Sequence, residues 1–267
     1  DGVRTGQKMK ASELFDLTGR VALVTGASSG LGAQFARALA DNGAAVALVA
    51  RRVDRLTALR DEIEAKGGRA VAIEADVTDR TAMTRAFDAA EAALGTVTIL
   101  VNNAGVAQAP VRATDVAPEE WRRVLSTDLD AVFYWAQEGA RRMLAANKKG
   151  AIVNIASVLG FGVAKGVAAY AVAKAAVVQA TKALALELAF KGVRVNAIAP
   201  GWFVTEINDT FLNSEAGNAM KRDIPMGRFG NAGDLDGALL LLVSDAGAYM
   251  TGATILVDGG QVVALKG

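Results

Sequence analysis

Apolar residues in this chain concentrate in seven short runs, separated by longer stretches in which apolar and polar residues recur with helical spacing. The runs occupy residues 20–25, 44–50, 69–75, 97–101, 151–156, 193–199 and 254–257. A short and nearly continuous apolar run is typical of a strand that is buried on both faces of a parallel sheet. The alternation of such strands with helices therefore predicts an α/β fold, in which helices cover both faces of a parallel sheet.

The segments between the strands predict helices and one unusual connection. Helices are expected over residues 33–42, 79–94, 233–244 and from 168 onward, together with a long helix that starts at Pro118 and ends near Gly150. Residues 206–230 are long and irregular for a connection, so a substrate lid is predicted near 203–230. No linker or repeat divides the chain, and we expect a flexible polar arm at 1–12 and a single domain over 13–267.

The first predicted strand runs into a glycine-rich turn, TGASSGLG at residues 25–32, before a helix. Gly26 permits a tight turn, while Gly30 and Gly32 allow a ligand and the backbone to approach each other closely. The amino terminus of the helix that follows can hold a pyrophosphate group. Glycine spacing alone is a weak signal, but its position between a strand and a helix favours a dinucleotide site over a plain surface turn.

Two arginines, Arg51 and Arg52, follow the second predicted strand. Dinucleotide-binding units often place an acidic residue here, which hydrogen-bonds the adenosine ribose. In this chain the acid is absent, and the arginines lie where a helix begins and its dipole disfavours positive charge. A 2′-phosphate would relieve that opposition, which favours NADP over NAD. The alternative is that both guanidinium groups are simply solvated.

The fifth predicted strand ends just before Ser157, and Tyr170 and Lys174 follow in an alanine-rich helix. Residues four apart share one face of a helix, so a hydroxyl, a phenol and an ammonium group can converge at the end of this strand. A nearby cation favours the phenolate form of a tyrosine, which suits acid–base chemistry on an oxygen. Taken alone, the Tyr-x-x-x-Lys spacing is explained as well by one half-buried ring and one solvated ammonium.

Composition excludes several other chemistries. The 267 residues include neither cysteine nor histidine, which rules out disulfides, thiolate nucleophiles and a Ser-His-Asp triad. We expect no metal site. The formal net charge of +1 gives no reason to expect nucleic acid, and no apolar run is long enough for a membrane helix. A cytoplasmic location is expected.

Taken together, these motifs resemble the short-chain dehydrogenase/reductase family over about residues 14–260. The family's markers occur in order: TGASSGLG at 25–32, Asp76-Val77, NNAG at 102–105, Ser157, Tyr170-x-x-x-Lys174, Pro200-Gly201 with Thr205, and VDGG at 257–260. The resemblance is to NADP-preferring ketoreductases of the 3-oxoacyl-carrier-protein reductase kind. It implies a doubly wound, seven-stranded Rossmann-type sheet in the order 3-2-1-4-5-6-7 and, in many members, a homotetramer or dimer.

The resemblance also implies roles for individual residues. Tyr170 would be the acid/base, Ser157 would hold the substrate oxygen, and Lys174 would bind the nicotinamide ribose. The implied cofactor site consists of Gly26, Ser28, Ser29, Gly30 and Leu31 at the phosphates, Arg51 and Arg52 at the 2′-phosphate, Asp76 and Val77 at the adenine, Asn103, Ala104 and Gly105 at the ribose, and Pro200, Gly201, Phe203 and Thr205 at the nicotinamide.

One position departs from the family pattern. The family usually has an asparagine where this chain has Asp128, and that asparagine helps to hold a water that links the lysine to solvent. An amide both donates and accepts hydrogen bonds, whereas an ionised carboxylate only accepts. Asp128 is therefore expected to modify this proton relay while leaving the Ser157, Tyr170 and Lys174 set intact. The alternative is a tolerated substitution, or an engineered or deamidated residue.

The substrate and the class of function are less constrained. Candidate pocket residues are apolar and suit a hydrophobic ketone or secondary alcohol, although each could equally pack in the core: Val158, Phe161, Val163, Trp202, Phe203 and Phe211. The sequence favours an NADP(H)-dependent carbonyl reductase or alcohol dehydrogenase. A non-catalytic nucleotide-binding or scaffold protein with the same fold stays open as an alternative, since fold alone does not decide function.

Overall fold

A seven-stranded parallel sheet forms the centre of the protein in the computed structural model, which describes residues 10–204, 212 and 214–264. The strand order is 3-2-1-4-5-6-7, as the family resemblance implied. The strands are β1 (Val21–Thr25), β2 (Ala45–Ala50), β3 (Arg69–Glu74), β4 (Ile99–Asn102), β5 (Gly150–Ile155), β6 (Val193–Pro200) and β7 (Thr254–Val257). Each falls within two residues of its predicted run at either end.

Helices connect the strands and cover both faces of the sheet. They are α1 (Ala11–Leu14), α2 (Gly30–Asp41), α3 (Val53–Ala65), α4 (Arg80–Leu94), α5 (Pro118–Leu125), α6 (Ala131–Ala145), α7 (Ala168–Leu188), α8 (Glu215–Arg222) and α9 (Asp236–Val243). Within the predicted lid, α8 is regular rather than irregular. Within the part of the chain that the structure describes, no helix is long and apolar enough to cross a membrane.

Successive residues of each strand point to opposite faces, so the apolar strands supply two cores at once. Ala22 and Val24 of β1 pack with α2, α3 and α9 on one face. Leu23 of the same strand packs on the other face, in a cluster with α4 and α6 that includes Phe87 and Trp135. Strands buried on both sides have to be apolar throughout, which explains why the sequence shows continuous runs rather than alternation.

Two predicted helix boundaries need correction. The helix after the glycine-rich turn begins at Gly30, three residues earlier than expected. Gly30 has a φ of 54°, a left-handed value that glycine adopts without strain. The long helix from Pro118 does not end at Gly150, which is the first residue of β5. It ends at Ala145, and Asn147, with a φ of 52°, turns the chain toward the sheet.

The long helix also contains a π-helical turn, Ser126–Asp130, between α5 and α6. A π turn inserts an extra residue into the helix and is often found at functional sites. Here it contains Asp128, whose side chain is completely buried. The turn thus places a carboxylate from the middle of a long helix inside the protein.

Candidate functional site

The carboxyl ends of the strands form the edge of the sheet where the predicted site residues lie. At the centre of this edge, β1 and β4 are tied together by Thr25, whose hydroxyl accepts hydrogen bonds from the backbone N–H groups of Asn103 and Ala104 at 3.0 and 3.1 Å. The Asn103 amide donates to the Thr25 carbonyl at 3.0 Å. The side chain of Asn103 therefore holds the glycine-rich turn in place, and its amide is already used in that contact.

The glycine-rich turn is closely packed where the backbone requires it. Gly26 has a φ of 69°, and a Cβ there would lie 2.9 Å from the Ala104 Cα. A Cβ at Gly32, on the first turn of α2, would lie 2.3 Å from the Gly26 carbonyl oxygen. Glycine at these two positions lets the turn lie directly against the 103–105 segment.

Arg52 lies over this turn. Its guanidinium donates to the Ser28 hydroxyl at 2.9 Å and to the Ser29 hydroxyl at 2.7 Å. It occupies the N-cap position of α3, where its positive charge opposes the helix dipole. A guanidinium, two hydroxyls and the amino terminus of α2 thus collect at one place, and together they form a donor set suited to a phosphate.

Arg51 points in a different direction from Arg52. Its guanidinium lies 3.9 Å from the Asp76 carboxylate, and its side chain is 75% exposed. The Asp76 carboxylate accepts hydrogen bonds from the Thr78 backbone and hydroxyl at 2.9 and 2.7 Å. These bonds, aided by the Arg51 charge, hold the pKa of Asp76 below its usual value. Arg51, after β2, and Asp76, after β3, thus lie together at the ends of two neighbouring strands.

Several other predicted cofactor residues lie along the same edge. Val77 is partly buried, and its carbonyl accepts a hydrogen bond from the Trp135 indole at 3.0 Å. Pro200 ends β6, and Gly201 donates to the Val257 carbonyl at 2.9 Å. The Phe203 side chain is buried in the sheet core, which agrees with the core-packing alternative. Thr205 and Phe211 lie outside the described residues.

Ser157 lies two residues after the end of β5 and is 8% exposed. Its Oγ accepts a hydrogen bond from the Leu159 backbone at 3.2 Å, which leaves its O–H as a donor. The turn that follows packs on α7, since a Cβ at Gly160 would lie 2.9 Å from the Lys174 carbonyl oxygen. This packing brings Ser157 and the first two turns of α7 to one end of β5.

Tyr170 and Lys174 occupy the first two turns of α7, which begins at Ala168 as predicted. The Lys174 Nζ lies 5.4 Å from the centroid of the Tyr170 ring and donates to the Ile155 carbonyl at 3.0 Å. Burial by itself lowers the pKa of Lys174, but the charges of Tyr170 and Asp128 raise it more, and the net shift is upward. Lys174 is therefore held as a cation beside the phenol.

Asp128 completes this group from the π turn. Its Oδ1 lies 3.2 Å from the Lys174 Nζ, and its carboxylate accepts a hydrogen bond from the Val106 backbone N–H at 3.2 Å. The carboxylate lies against Gly105, where a Cβ would be 2.5 Å from Oδ1. Asp128, which stands where the family usually has an asparagine, thus forms a direct ion pair with Lys174.

Sequence reasoning missed one residue beside this group, Gln108. Its side-chain oxygen accepts a hydrogen bond from the Tyr170 backbone N–H at 3.1 Å, and the residue is 6% exposed. The local signal was that Gln108 is the one polar residue in the segment 106–111, VAQAPV. Nothing in that segment indicates what the amide touches, because its partner is 62 residues further along the chain.

The described residues form no group of three or more acidic side chains arranged to hold a metal ion. They do fit a phosphorylated dinucleotide: Arg52, Ser28 and Ser29 supply donors at the amino terminus of α2, and the tightly packed glycines keep side chains away from the turn. Arg51 adds an exposed guanidinium at the end of β2. Chemically, the edge can bind a dinucleotide and place a phenol, a hydroxyl and an ammonium group at the end of β5.

Known proteins share this architecture. A family model described as enoyl-(acyl carrier protein) reductase matches residues 26–261. The chain is 37% identical to a gluconate 5-dehydrogenase of Gluconobacter oxydans, over 96% of this chain and 100% of that protein. It is 42% identical to a galactitol 2-dehydrogenase (L-tagatose-forming) of Cereibacter sphaeroides, over 94% of this chain and 98% of that protein.

A solved structure is similarly close. The gluconate 5-dehydrogenase of Burkholderia cenocepacia J2315, crystallised in complex with NADP and tartrate, superposes with a TM-score of 0.91 at 35% identity, over 96% of this chain and 100% of that one. The relatives named here are, by their names, dehydrogenases of gluconate and of galactitol. On the family match, the ordered motifs and the strand order, this chain belongs to the short-chain dehydrogenase/reductase family of oxidoreductases.

Proposed function

We propose that this protein is an NADP(H)-dependent oxidoreductase that interconverts a ketone and a secondary alcohol, with Tyr170 as the acid/base. The observation that carries the proposal is that the buried Lys174 lies beside the Tyr170 ring and donates to the Ile155 carbonyl, two residues before Ser157. The family's dehydrogenases support the reaction class.

The roles of the three residues follow from their chemistry. When bound, the nicotinamide supplies or accepts the hydride. Tyr170 gives its phenolic proton to the substrate oxygen in the reducing direction and removes it in the oxidising direction. Ser157 donates its O–H to the same oxygen, where negative charge develops. Lys174 stabilises the phenolate that remains, because its ammonium group lies on the same face of α7.

Asp128 acts through Lys174. A lysine ammonium has three N–H donors, and two of them are directed at the Ile155 carbonyl and the Asp128 carboxylate. The third is left for the ribose or for a water on the path to Tyr170. In this proposal Asp128 fixes the orientation and charge of Lys174 and so controls how the proton on Tyr170 is replaced.

The preference for NADP over NAD rests on the two arginines after β2. Arg52 and the hydroxyls of Ser28 and Ser29 surround the place where a 2′-phosphate on the adenosine ribose would bind, and Arg51 is largely exposed at the same strand end. No acidic residue stands at the end of β2 to pair with a ribose 2′-hydroxyl. NADP in the complex of the Burkholderia relative is consistent with this assignment.

The substrate is assigned only as a class, a ketone or secondary alcohol. Of the apolar pocket candidates, Val158 is buried, while Phe161 and Val163 are 46% and 88% exposed on the segment between β5 and α7. Trp202 packs with Leu212, Ile224 and Phe229, on the segment predicted as a lid. Polyols and sugar acids of the kind that name the relatives belong in the test panel beside hydrophobic ketones.

The test is oxidation of NADPH, and separately of NADH, across ketones, 3-oxoesters, a 3-oxoacyl thioester, keto sugars and keto acids, with Tyr170→Phe as the control. Turnover with NADPH that vanishes in the Tyr170→Phe enzyme is the expected result. Tight NADPH binding with no turnover on any substrate would overturn the proposal in favour of the non-catalytic binding protein.

We also propose that the protein assembles as a homotetramer or dimer through α7. This helix is buried against the sheet on one side, yet its outer side also carries apolar residues: Val172 is 48% exposed and Leu186 83% exposed, and Phe190, just beyond the helix, is 99% exposed. Large exposed apolar side chains grouped on one side of a helix are typical of a contact surface with another protein. Light scattering should give a multiple of 27.5 kDa for the native protein and a smaller mass for Leu186→Glu.

A further inference from the structure

The amino terminus of α7 lacks a cap of its own, although it carries the catalytic tyrosine. The first N–H groups of a helix have no partner within the helix, and a polar side chain at the N-cap normally satisfies one of them. The N-cap residue of α7 is Val167, which makes no such hydrogen bond, and alanines occupy the next two positions. Tyr170 is thus the third residue of a helix whose local sequence offers it no cap.

Gln108 supplies the missing acceptor from another part of the chain. Its Oε1 accepts a hydrogen bond from the Tyr170 backbone N–H at 3.1 Å. Since a backbone N–H can only donate, the amide oxygen and not its NH₂ group has to face the helix, which fixes the orientation of the side chain. The hydrogen bond therefore constrains the backbone at the residue that carries the phenol.

The segment that carries Gln108 is itself anchored on both sides. Before it, the Val106 N–H donates to the Asp128 carboxylate at 3.2 Å, and the Ala107 carbonyl accepts from Arg123 at 2.8 Å. After it, the Val111 N–H donates to the Gly166 carbonyl at 3.0 Å, just ahead of α7. Gln108 therefore lies on a fixed bridge between the Asp128–Lys174 pair and the start of the catalytic helix.

Among the described residues, the Tyr170 N–H is the only hydrogen-bond partner of the Gln108 side chain. Its Nε2 is buried and has no hydrogen-bond partner within the described residues. A buried donor without a protein partner is unfavourable compared with an apolar side chain of similar size. An apolar residue could fill the same space in this otherwise apolar segment, but it could not accept the Tyr170 N–H.

From these contacts we infer that Gln108 is a positioning residue for the reaction: by capping α7 at Tyr170, it holds the phenol in line with Ser157 and the substrate oxygen. The inference rests on the proposed function only in taking Tyr170 as the acid/base. Small displacements of a catalytic group reduce turnover strongly, so a loosened first turn lowers kcat. It leaves KM nearly unchanged, because Gln108 is not assigned to the substrate.

The experiment compares Gln108→Met, which keeps the length and loses the acceptor, with Gln108→Glu, which keeps an acceptor oxygen. In Gln108→Met, amide hydrogen exchange in the peptide spanning 166–171 should become faster by roughly fivefold or more, while peptides from the end of α7 stay unchanged. The kcat should fall by about tenfold, with KM within about twofold of wild type. Gln108→Glu should restore the slow exchange and most of kcat.

Three results would overturn the inference. Gln108→Met could show wild-type exchange and kcat, it could raise KM without lowering kcat, or Gln108→Glu could be as impaired as Gln108→Met. The second result would place the side chain against the substrate, and the third would assign the effect to the NH₂ group. If the wild-type protein turns over nothing, the proposed function fails, but the exchange comparison still decides whether Gln108 caps the helix.

Discussion

The Lys174 Nζ lies 3.2 Å from the Asp128 Oδ1, and the two side chains are 5% and 0% exposed. A buried ion pair holds its two charges through mutual attraction, because water screens neither of them. Asp128 and Tyr170 together raise the pKa of Lys174 despite its burial. The pair thus makes the charge on Lys174 depend on a carboxylate at a position where the family usually has a neutral amide.

Replacing Asp128 with asparagine should change turnover without abolishing it. The amide oxygen can still accept from the Val106 N–H, but the negative charge that helps to raise the pKa of Lys174 is lost. Lys174 then loses its proton at a lower pH, and the alkaline limb of the kcat/KM profile should move downward in pH. The measurement is the pH–rate profile of Asp128→Asn beside wild type.

Asp130→Asn offers a matched control, since it makes the same aspartate-to-asparagine change two residues away, at an exposed position of the π turn. Its profile should superimpose on that of wild type. If the Asp128→Asn profile did so as well, Asp128 would have no part in the proton relay, and the substitution would be a tolerated one.

Arg52 should matter for NADPH far more than for NADH. Hydrogen bonds to charged groups contribute about 1.5–3 kcal/mol, so Arg52→Ala should raise the Kd for NADPH by roughly tenfold or more. The Kd for NADH should change by less than about threefold, because NADH lacks the 2′-phosphate. Fluorescence titration of each nucleotide measures this, with Arg85→Ala on the exposed side of α4 as the control. An equal loss for both nucleotides would remove the argument for NADP.

Ser157→Ala should lower kcat by about 10²–10³ and leave NADPH binding intact. The serine hydroxyl is positioned by the Leu159 N–H, which fixes its oxygen and leaves its hydrogen for the substrate. Removing it withdraws one donor from the oxygen that develops charge, while Tyr170 and Lys174 stay in place. Single-turnover rates with saturating NADPH separate this loss from a change in binding. A kcat within twofold of wild type would exclude Ser157 from the reaction.

The strands and the glycine-rich turn were predictable because their signals are local. A strand buried on both faces has to be continuously apolar, and all seven runs proved to be strands. The ends of parallel strands meet at one edge, which is why motifs from β1, β4 and β5 could be assigned to one site from their positions in the chain. Arg51 and Arg52 have different neighbours in the structure, because consecutive residues point in different directions: Arg52 contacts the two serines, and Arg51 lies near Asp76. Their role at a 2′-phosphate stays a prediction.

The contacts of Asp128 and Gln108 could not be predicted, because they join distant parts of the chain and leave no pattern in the local sequence. No pattern around Asp128 shows that a π turn directs its carboxylate to Lys174, and none around Gln108 shows that its amide reaches Tyr170. The end of the long helix was missed for a related reason. Glycine is the usual stop signal, but here Asn147 adopts the left-handed conformation, and Gly150 is needed in β5 because Met143 and the Thr98 carbonyl leave no room for a side chain.

Glu62→Gln should destabilise the protein near neutral pH but not in acid. The Glu62 carboxylate accepts three hydrogen bonds from Arg37, at 2.9, 3.0 and 2.8 Å, and one from Lys66 at 3.0 Å, which lower its pKa from 4.5 to about 2. A lowered folded-state pKa stabilises the protein above the unfolded value, and this stabilisation is lost as the pH falls through the folded value. The difference in Tm between wild type and Glu62→Gln should therefore be constant from pH 7 to about 5 and shrink between about 4.5 and 2.

The size of this difference should be modest, because the side chains of Arg37 and Glu62 are 36% and 37% exposed and solvent screens their charges. A contribution of about 1 kcal/mol corresponds to roughly 2–4 °C in Tm for a domain of this size. Glu64→Gln on the same helix is the matched control, since Glu64 lies 4.0 Å from its nearest cation, Arg60, and should give a much smaller difference. A Tm difference for Glu62→Gln that stayed constant down to pH 2 would show that the loss comes from packing and not from the charge on Glu62.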